Sequence, residues 1–263
     1  MELYLAGEGG KQVPVETMEK NGEFREGMPQ LCILDSIYHL KSWMVKYIKK
    51  KSWKFMLDSG AFTFMSAKKK DAMLGSVDWE GYVDEYAKFI VKNDIELFFE
   101  LDIDVIVGLS RVEELRERLE DKTGRRCIPV WHKSRGLEYW RSLVSDYPYV
   151  AIGGIVTGEI SRSEFRVLNS LCDIAHEKKT RVHGLGFTPL KTLHRYRFDS
   201  VDSATWIMGN RVGQIHRFNG KHIEKIDPPS GMQIKPAEVR THNFREWVKY
   251  QRYLLHAGWR LEQ

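Results

Sequence analysis

The sequence predicts a single parallel α/β barrel of the TIM type, and three observations predict it. Short apolar runs alternate six or seven times with segments of helical spacing, without an internal linker or a repeat of fixed period. Most of those runs end in acids or glycines, the residues expected at the carboxyl ends of barrel strands, where such folds meet their ligands. The length of 263 residues suits one barrel with a sizeable core. An open doubly wound sheet is the second choice, but no Gly-x-Gly-x-x-Gly fingerprint supports it.

Residues 2–7 read as an opening strand that ends in a glycine turn, and the polar stretch 8–29, rich in Gly and Glu, reads as a loop over the barrel mouth or a disordered segment. A strand-like run at 31–36 passes into a helix that ends in a lysine cluster. The clearest strand end follows at 54–60, closing on Asp58, Ser59 and Gly60. Gly60 permits a close approach of ligand to backbone, and Phe62 offers an aromatic face beside the acid. Residues 78–94 have helical spacing with Asp78 as N-cap, and the strand at 95–104 ends in Asp102 and Asp104.

Further on, 110–122 is a charged amphipathic helix with Ser110 and Glu113 at capping-box spacing. The strand at 127–132 ends in Trp131 and His132, and a short helix follows at 137–146. The strand at 149–154 ends in Gly153 and Gly154, whose amides are donors for a carbonyl oxygen unless they only form a turn. A helix at 161–179, with Ser161 and Glu164 as its box, leads into a strand, helix, strand unit at 181–206, its helix at 190–197. Its strand ends carry His183, Gly184, Gly186, Asp199 and Asp202. Asn219-Gly220 marks a hairpin within 213–226, and 244–255 is a terminal helix. The chain therefore reads as one domain over 1–263, with a motif-bearing core at 54–206 and a hairpin and helix over 207–263.

With 42% hydrophobic and 29% charged residues, and no apolar run of membrane-spanning length, the composition is that of a water-soluble chain. The opening residues lack a basic start and apolar stretch, so a cytoplasmic location is expected. Cys32, Cys127 and Cys172 lie far apart, which supports neither a disulfide framework nor a four-ligand zinc site. The formal charge of +5 is clustered at 49–54, at Lys68, Lys69 and Lys70, at Arg125 and Arg126, and at 178–181. Such clusters suit a polyanion such as nucleic acid, or are solvated helix ends. Asp199 and Asp202, taken alone, are equally helix caps or chemistry.

Five motifs in order resemble the guanine transglycosylases that exchange guanine for a 7-deazaguanine: Leu57-Asp58-Ser59-Gly60-Ala61-Phe62, Leu101-Asp102-Ile103, Gly153-Gly154 followed by Gly158-Glu159, Gly184-Leu185-Gly186-Phe187-Thr188-Pro189, and Val201-Asp202-Ser203-Ala204. The family includes the tRNA enzymes for queuosine and archaeosine and DNA-modifying relatives in bacteriophages and bacterial modification clusters. The resemblance implies that Asp202 is the nucleophile at the anomeric carbon and Asp58 the general acid/base. It implies that Asp102 accepts hydrogen bonds from guanine, that the amides at Gly153 and Gly154 donate to its carbonyl, and that Ser59 lines the pocket. Phe62 and His183 fall where the family sandwiches the base; the residues alone leave His183 open between that role and a place in the core. Asp104, His132 and Asp199 are further candidates. Lys68, Lys69, Lys70, Arg125 and Arg126 are the candidates for the nucleic-acid backbone.

No cofactor is implied. The tRNA members carry a zinc site on a Cys-x-Cys-x-x-Cys run for which this chain has no residues, and His132 stands near the place of a bacterial glutamine. The zinc-free form resembles the DNA-modifying branch, so the implied partners are DNA and a free base such as 7-cyano-7-deazaguanine, in the host cytoplasm if the chain is phage-encoded. A tRNA enzyme with an atypical tail, and a non-catalytic nucleic-acid-binding subunit of the same fold, are the alternatives.

Overall fold

A two-residue period governs the centre of the molecule. The computed structural model describes residues 1–7, 18–20, 22, 30–60, 77–228 and 234–257. Eight parallel strands run in chain order as β1 Glu2–Ala6, β2 Cys32–Ser36, β3 Lys54–Asp58, β4 Leu97–Phe98, β5 Val130–Trp131, β6 Tyr149–Ile152, β7 Arg181–Gly184 and β8 Ser200–Ser203. All but β4 and β5 pair with both sequence neighbours, and β8 returns to β1 with Tyr4 opposite Asp202. The remaining seam, between β4 and β5, is joined by a parallel bridge from Phe99 to Ile128, with Ile128 N donating to Phe98 O at 2.8 Å and Glu100 N to Ile128 O at 3.1 Å. The ring of eight strands is thus a TIM-type (β/α)8 barrel.

Alternation sorts the strand residues between two cores. Tyr4, Cys32, Met56, Phe99, Val130, Tyr149 and Ala151 form one buried cluster inside the ring. Leu3, Leu5, Ile33, Trp131, Val150, Val182 and Val201 belong to a cluster shared with the surrounding helices. Carried two residues onward, the inner parity places Ser36, Asp58, His132, Gly153 and Asp202 on the lumen side of the carboxyl ends. Trp131, expected at the same strand tip as His132, has the outer parity and packs on Trp140 at 5.6 Å between ring centroids.

The helices are α1 Ser42–Lys50, α2 Trp79–Lys92, the single turn α3 Asp104–Val107, α4 Leu109–Thr123, α5 Gly136–Asp146, α6 Arg166–Glu177, α7 Thr205–Val212 and α8 Pro236–Ala257. Asp78 caps α2 by accepting from Gly81 N at 2.9 Å, and Ser161 with Glu164 forms the expected capping box before α6. Two expectations need correction. Ser110 is not a cap, because α3 ends on Gly108 and the chain re-enters a helix directly at Leu109. The helix expected at 190–197 is only a 3-10 turn at Leu193–Arg195, and that crossover is held by Tyr196 packing edge-on against Phe187 at 4.7 Å. The segment expected to cover the mouth, 8–29, lies mostly outside the described residues.

The C-terminal hairpin is β9 Ile215–Phe218 and β10 Ile223–Ile226, antiparallel as expected, with the Asn219 side chain accepting from the amides of Lys221 and His222 at 3.1 and 3.0 Å. Helix α8 packs on β1 from outside, where Gln251 Nε2 reaches Leu3 O and, at 3.1 Å, Cys32 O. All three cysteines are free and buried. No helix among the described residues is long and apolar enough to cross a membrane.

The seam depends on a side chain. Val130 N, facing β4, donates to the Glu100 carboxylate at 2.8 Å, and Glu100, with no exposed surface, also receives Arg116 Nη1 at 3.1 Å and Arg135 Nη1 at 3.3 Å. Replacing Glu100 with Ala takes a buried carboxylate from two guanidinium groups and leaves the Val130 amide without its acceptor. The expected loss is about 3–5 kcal/mol of folding free energy, measured by urea denaturation.

Candidate active site

Three acids meet at the mouth: Asp58 at the end of β3, Asp202 on β8, and Asp102 in the segment that follows β4. Asp58 ends β3, where Gly60 N donates to its Oδ2 at 3.1 Å and the Ser36 side chain hydrogen-bonds to it from β2. Burial drives the Asp58 carboxyl up to about 6; the bonds from Gly60 and Ser36 offset part of that rise, and the charges of Asp202 and Asp102 add to it. Gly60 turns the chain with φ +76°, and a Cβ there would stand 3.0 Å from Ser36 Oγ and 3.1 Å from Tyr82 Oη. Ser59 is buried, its carbonyl held by the Tyr82 hydroxyl at 2.6 Å.

Asp202, on β8, is buried. Its Oδ1 accepts from Gly186 N at 2.7 Å and faces His183 Nε2 at 3.2 Å. Among the described residues no bond is made to Oδ2. The two carboxylates therefore have different environments: Asp202 is anchored by donors, while the Asp58 carboxyl is raised to about 6, where it can take up and give back a proton.

Asp102 belongs to a charged chain across the mouth. His132 Nε2 lies 2.8 and 3.0 Å from its two oxygens, and His132 Nδ1 lies 2.9 Å from Glu159, which also accepts from Ser134 N at 2.7 Å. Burial opposes a charge on His132, but its hydrogen bonds to Asp102 and Glu159 and the Asp102 charge outweigh it and raise the imidazole to about 9. Arg135 continues the chain, with Nε 2.9 Å from Asp104 and Nη2 3.6 Å from Asp102. Asp102, Asp104 and His132 bring one ligand atom each within 4.8 Å of the others. The guanidinium of Arg135 already compensates the two acids, so the group is built as an internal salt network and fits a bound cation poorly.

Several expected roles change. The Gly153 N–H donates to Trp131 O at 2.8 Å within the sheet, so it is not a free donor. Gly153 is needed for room: a Cβ there would stand 2.8 Å from His132 Nε2. Gly154, at φ +75°, makes no amide hydrogen bond among the described residues, and a Cβ there would stand 2.6 Å from Glu159 Oε2. His183 is fully buried beneath Asp202, edge-on to Tyr4 at 6.1 Å and tilted on Phe99 at 5.3 Å, so it offers no stacking face. Asp199 precedes β8 and lies at the opposite end of the barrel, bonded to His176 Nε2 at 3.0 Å and Val182 N at 2.8 Å.

Arg125 and Arg126 also lie at that opposite end, before β5. Arg125 pairs with Asp94 at 2.6 Å and Ile95 O at 2.7 Å; Arg126 pairs with Glu120 at 2.8 Å over the Tyr147 ring. Phe62, Lys68, Lys69 and Lys70 lie outside the described residues. Reading the sequence missed Ser36, which strand parity points to, and Arg135, for which no sequence signal exists. It noted Glu159 only as part of a motif.

The sequence matches no family model, and no curated protein matches it. Among solved structures, a variant of the glycoside hydrolase domain of PelA from Pseudomonas aeruginosa is similar at 13% identity, over 77% of this chain and 95% of that one, with a TM-score of 0.43. The carboxyl transferase domain from Rhizobium etli pyruvate carboxylase, with 3-bromopyruvate, is similar at 13% identity over 96% of this chain and 48% of that one, with a TM-score of 0.45.

Two stability measurements check these charge states. Asp58 has a raised folded value, so its contribution is complete below about pH 4 and lost as pH rises through about 6. Asp58→Asn should therefore be more stable than wild type by about 2–3 kcal/mol at pH 8 and close to it below pH 4, by urea denaturation. The His132 contribution is complete below about pH 6.5 and fades as pH rises through about 9. A His132→Gln protein should therefore be destabilised at pH 6 and approach wild type above pH 9.5; an equal deficit at both values would rule out the imidazolium.

Proposed function

We propose that this protein is a glycosyltransferase of the base-exchange type, replacing guanine in DNA with a 7-deazaguanine through a covalent aspartyl intermediate. One observation carries the reading: Asp202 and Asp58 converge on one mouth from different strands, the first anchored with Oδ2 open, the second pushed up to about 6. The order of motifs around them supports it, as does the third acid, Asp102, beside the same space.

Asp202 Oδ2 attacks the anomeric carbon as the bond to guanine N9 breaks, and protonated Asp58 gives its proton to the leaving base. The incoming 7-deazaguanine then loses its N9 proton to the Asp58 carboxylate and attacks the same carbon, breaking the ester and freeing Asp202. No electron carrier or nucleotide triphosphate enters either half. Asp102 accepts from the ring N–H and amino group of guanine, and the Gly154 amide, free where Gly153 is not, donates to the carbonyl. A base in a duplex must leave the stack to reach this mouth. The absence of residues for the zinc site favours DNA over tRNA as the polymer.

The test is release of labelled guanine from duplex DNA, single-stranded DNA and tRNA, each with a panel of 7-deazaguanines. Exchange in DNA is expected, and exchange in tRNA alone would move the protein to the tRNA branch. Asp202→Ala and Asp202→Asn should each lower exchange to roughly a thousandth of wild type or less with the fold intact. Substantial activity in Asp202→Ala would remove the nucleophile assignment.

A further inference from the structure

Beneath Asp202 runs a line of polar groups that the exchange reaction does not use. The Tyr149 hydroxyl meets Ser200 Oγ, Ser200 Oγ meets His183 Nδ1, and His183 Nε2 lies 3.2 Å from Asp202 Oδ1. They stand on three adjacent strands, with Ala151 paired to His183 and His183 to Ser200 in register, so all point inward by parity. His183 and Ser200 have no exposed surface and Tyr149 very little. The column stands beside the apolar cluster of the barrel interior, where an unsatisfied polar group is costly.

The chemistry gives the column a direction. An ionised carboxylate only accepts, so His183 Nε2 carries the proton toward Asp202. A neutral ring then leaves Nδ1 bare, and Ser200 must give its single proton to it. Ser200 Oγ is left as an acceptor, and the Tyr149 hydroxyl is its donor. Every partner is satisfied in one orientation.

We propose that Tyr149, Ser200 and His183 form a one-way hydrogen-bond relay that positions Asp202, tying Oδ1 in concert with the Gly186 amide so that Oδ2 alone faces the reacting carbon. These are positioning residues, since none reaches the mouth. The inference rests on the reading of Asp202 as the nucleophile. Its function is to hold one rotamer of a carboxylate whose attack depends on near-contact alignment.

Two measurements test the relay on the full chain. In protein labelled with 15N at histidine, the His183 signals, assigned by their loss in His183→Gln, should show a neutral ring protonated at Nε2 and bare at Nδ1 at pH 7. A proton on Nδ1, alone or with one on Nε2, would overturn the proposal whether or not any exchange is found. In the exchange assay, Ser200→Ala and Tyr149→Phe should fold as wild type and lower kcat roughly 10-fold without changing KM. His183→Gln, which retains a donor, should fall less than His183→Ala. Unchanged kcat in both Ser200→Ala and Tyr149→Phe, with Asp202→Asn inactive, overturns the relay and leaves the nucleophile standing. An active Asp202→Asn overturns the nucleophile, and with it the relay's purpose.

Discussion

A carboxylate cut off from water must be surrounded by donors, and the donors of Glu100 organise both the barrel and its mouth. At the seam between β4 and β5 the two strands share little backbone pairing, and the Glu100 side chain takes the place of the missing carbonyl for Val130 N. The same carboxylate draws in Arg116 from α4 and Arg135 from the turn after β5. Arg135, once drawn in, has nitrogen to offer Asp104 and Asp102, and Asp102 in turn holds His132 against Glu159. The chain of alternating charges thus begins as a solution to ring closure and ends in the candidate site. A buried pair of this kind contributes little net stability beyond an apolar one, but its geometry admits few arrangements.

The mouth separates its carboxylates by environment. Asp202 sits over a column of hydrogen-bonding groups and beside the Gly186 amide, and Asp102 sits beside two cations. Among the described residues Asp58 has an amide and a hydroxyl but no cation beside it, and the charges of Asp202 and Asp102 are negative. The acid that is worst placed to carry charge is the one suited to carry a proton. The corresponding instability of the folded chain is the cost of that placement, a common feature of reactive sites.

The basic clusters have a different origin. Lys49 and Lys50 end α1, and Arg125 and Arg126 lie between α4 and β5. In an α/β barrel every helix ends at the face opposite the mouth, and helix carboxyl ends favour cations. Most of these side chains meet acids there: Lys49 and Arg125 share Asp94, and Lys54 and Arg181 share Glu2. Their clustering in the sequence follows the repeat of the fold, which gathers helix ends and strand starts at this face.

The sequence by itself determined the elements and the kind of residue at each strand end, because both depend on local patterns. Alternation marks the strands, Asp78 and Ser161 mark helix starts, Asn219-Gly220 marks the hairpin, and apolar runs that stop at Asp58, Asp102, Gly153 and Asp202 mark one face of a barrel. Only the tertiary structure decided what those residues do to one another. His183 and Asp199 read as mouth residues from the sequence, but His183 lies a layer below Asp202 and Asp199 precedes β8, because depth in the barrel is set by the register between strands. Glu100, Arg135 and the Tyr149–Ser200–His183 column carry no local signature. Their roles arise from contacts between residues distant in the chain, and from the loss of water around them, which no stretch of sequence records.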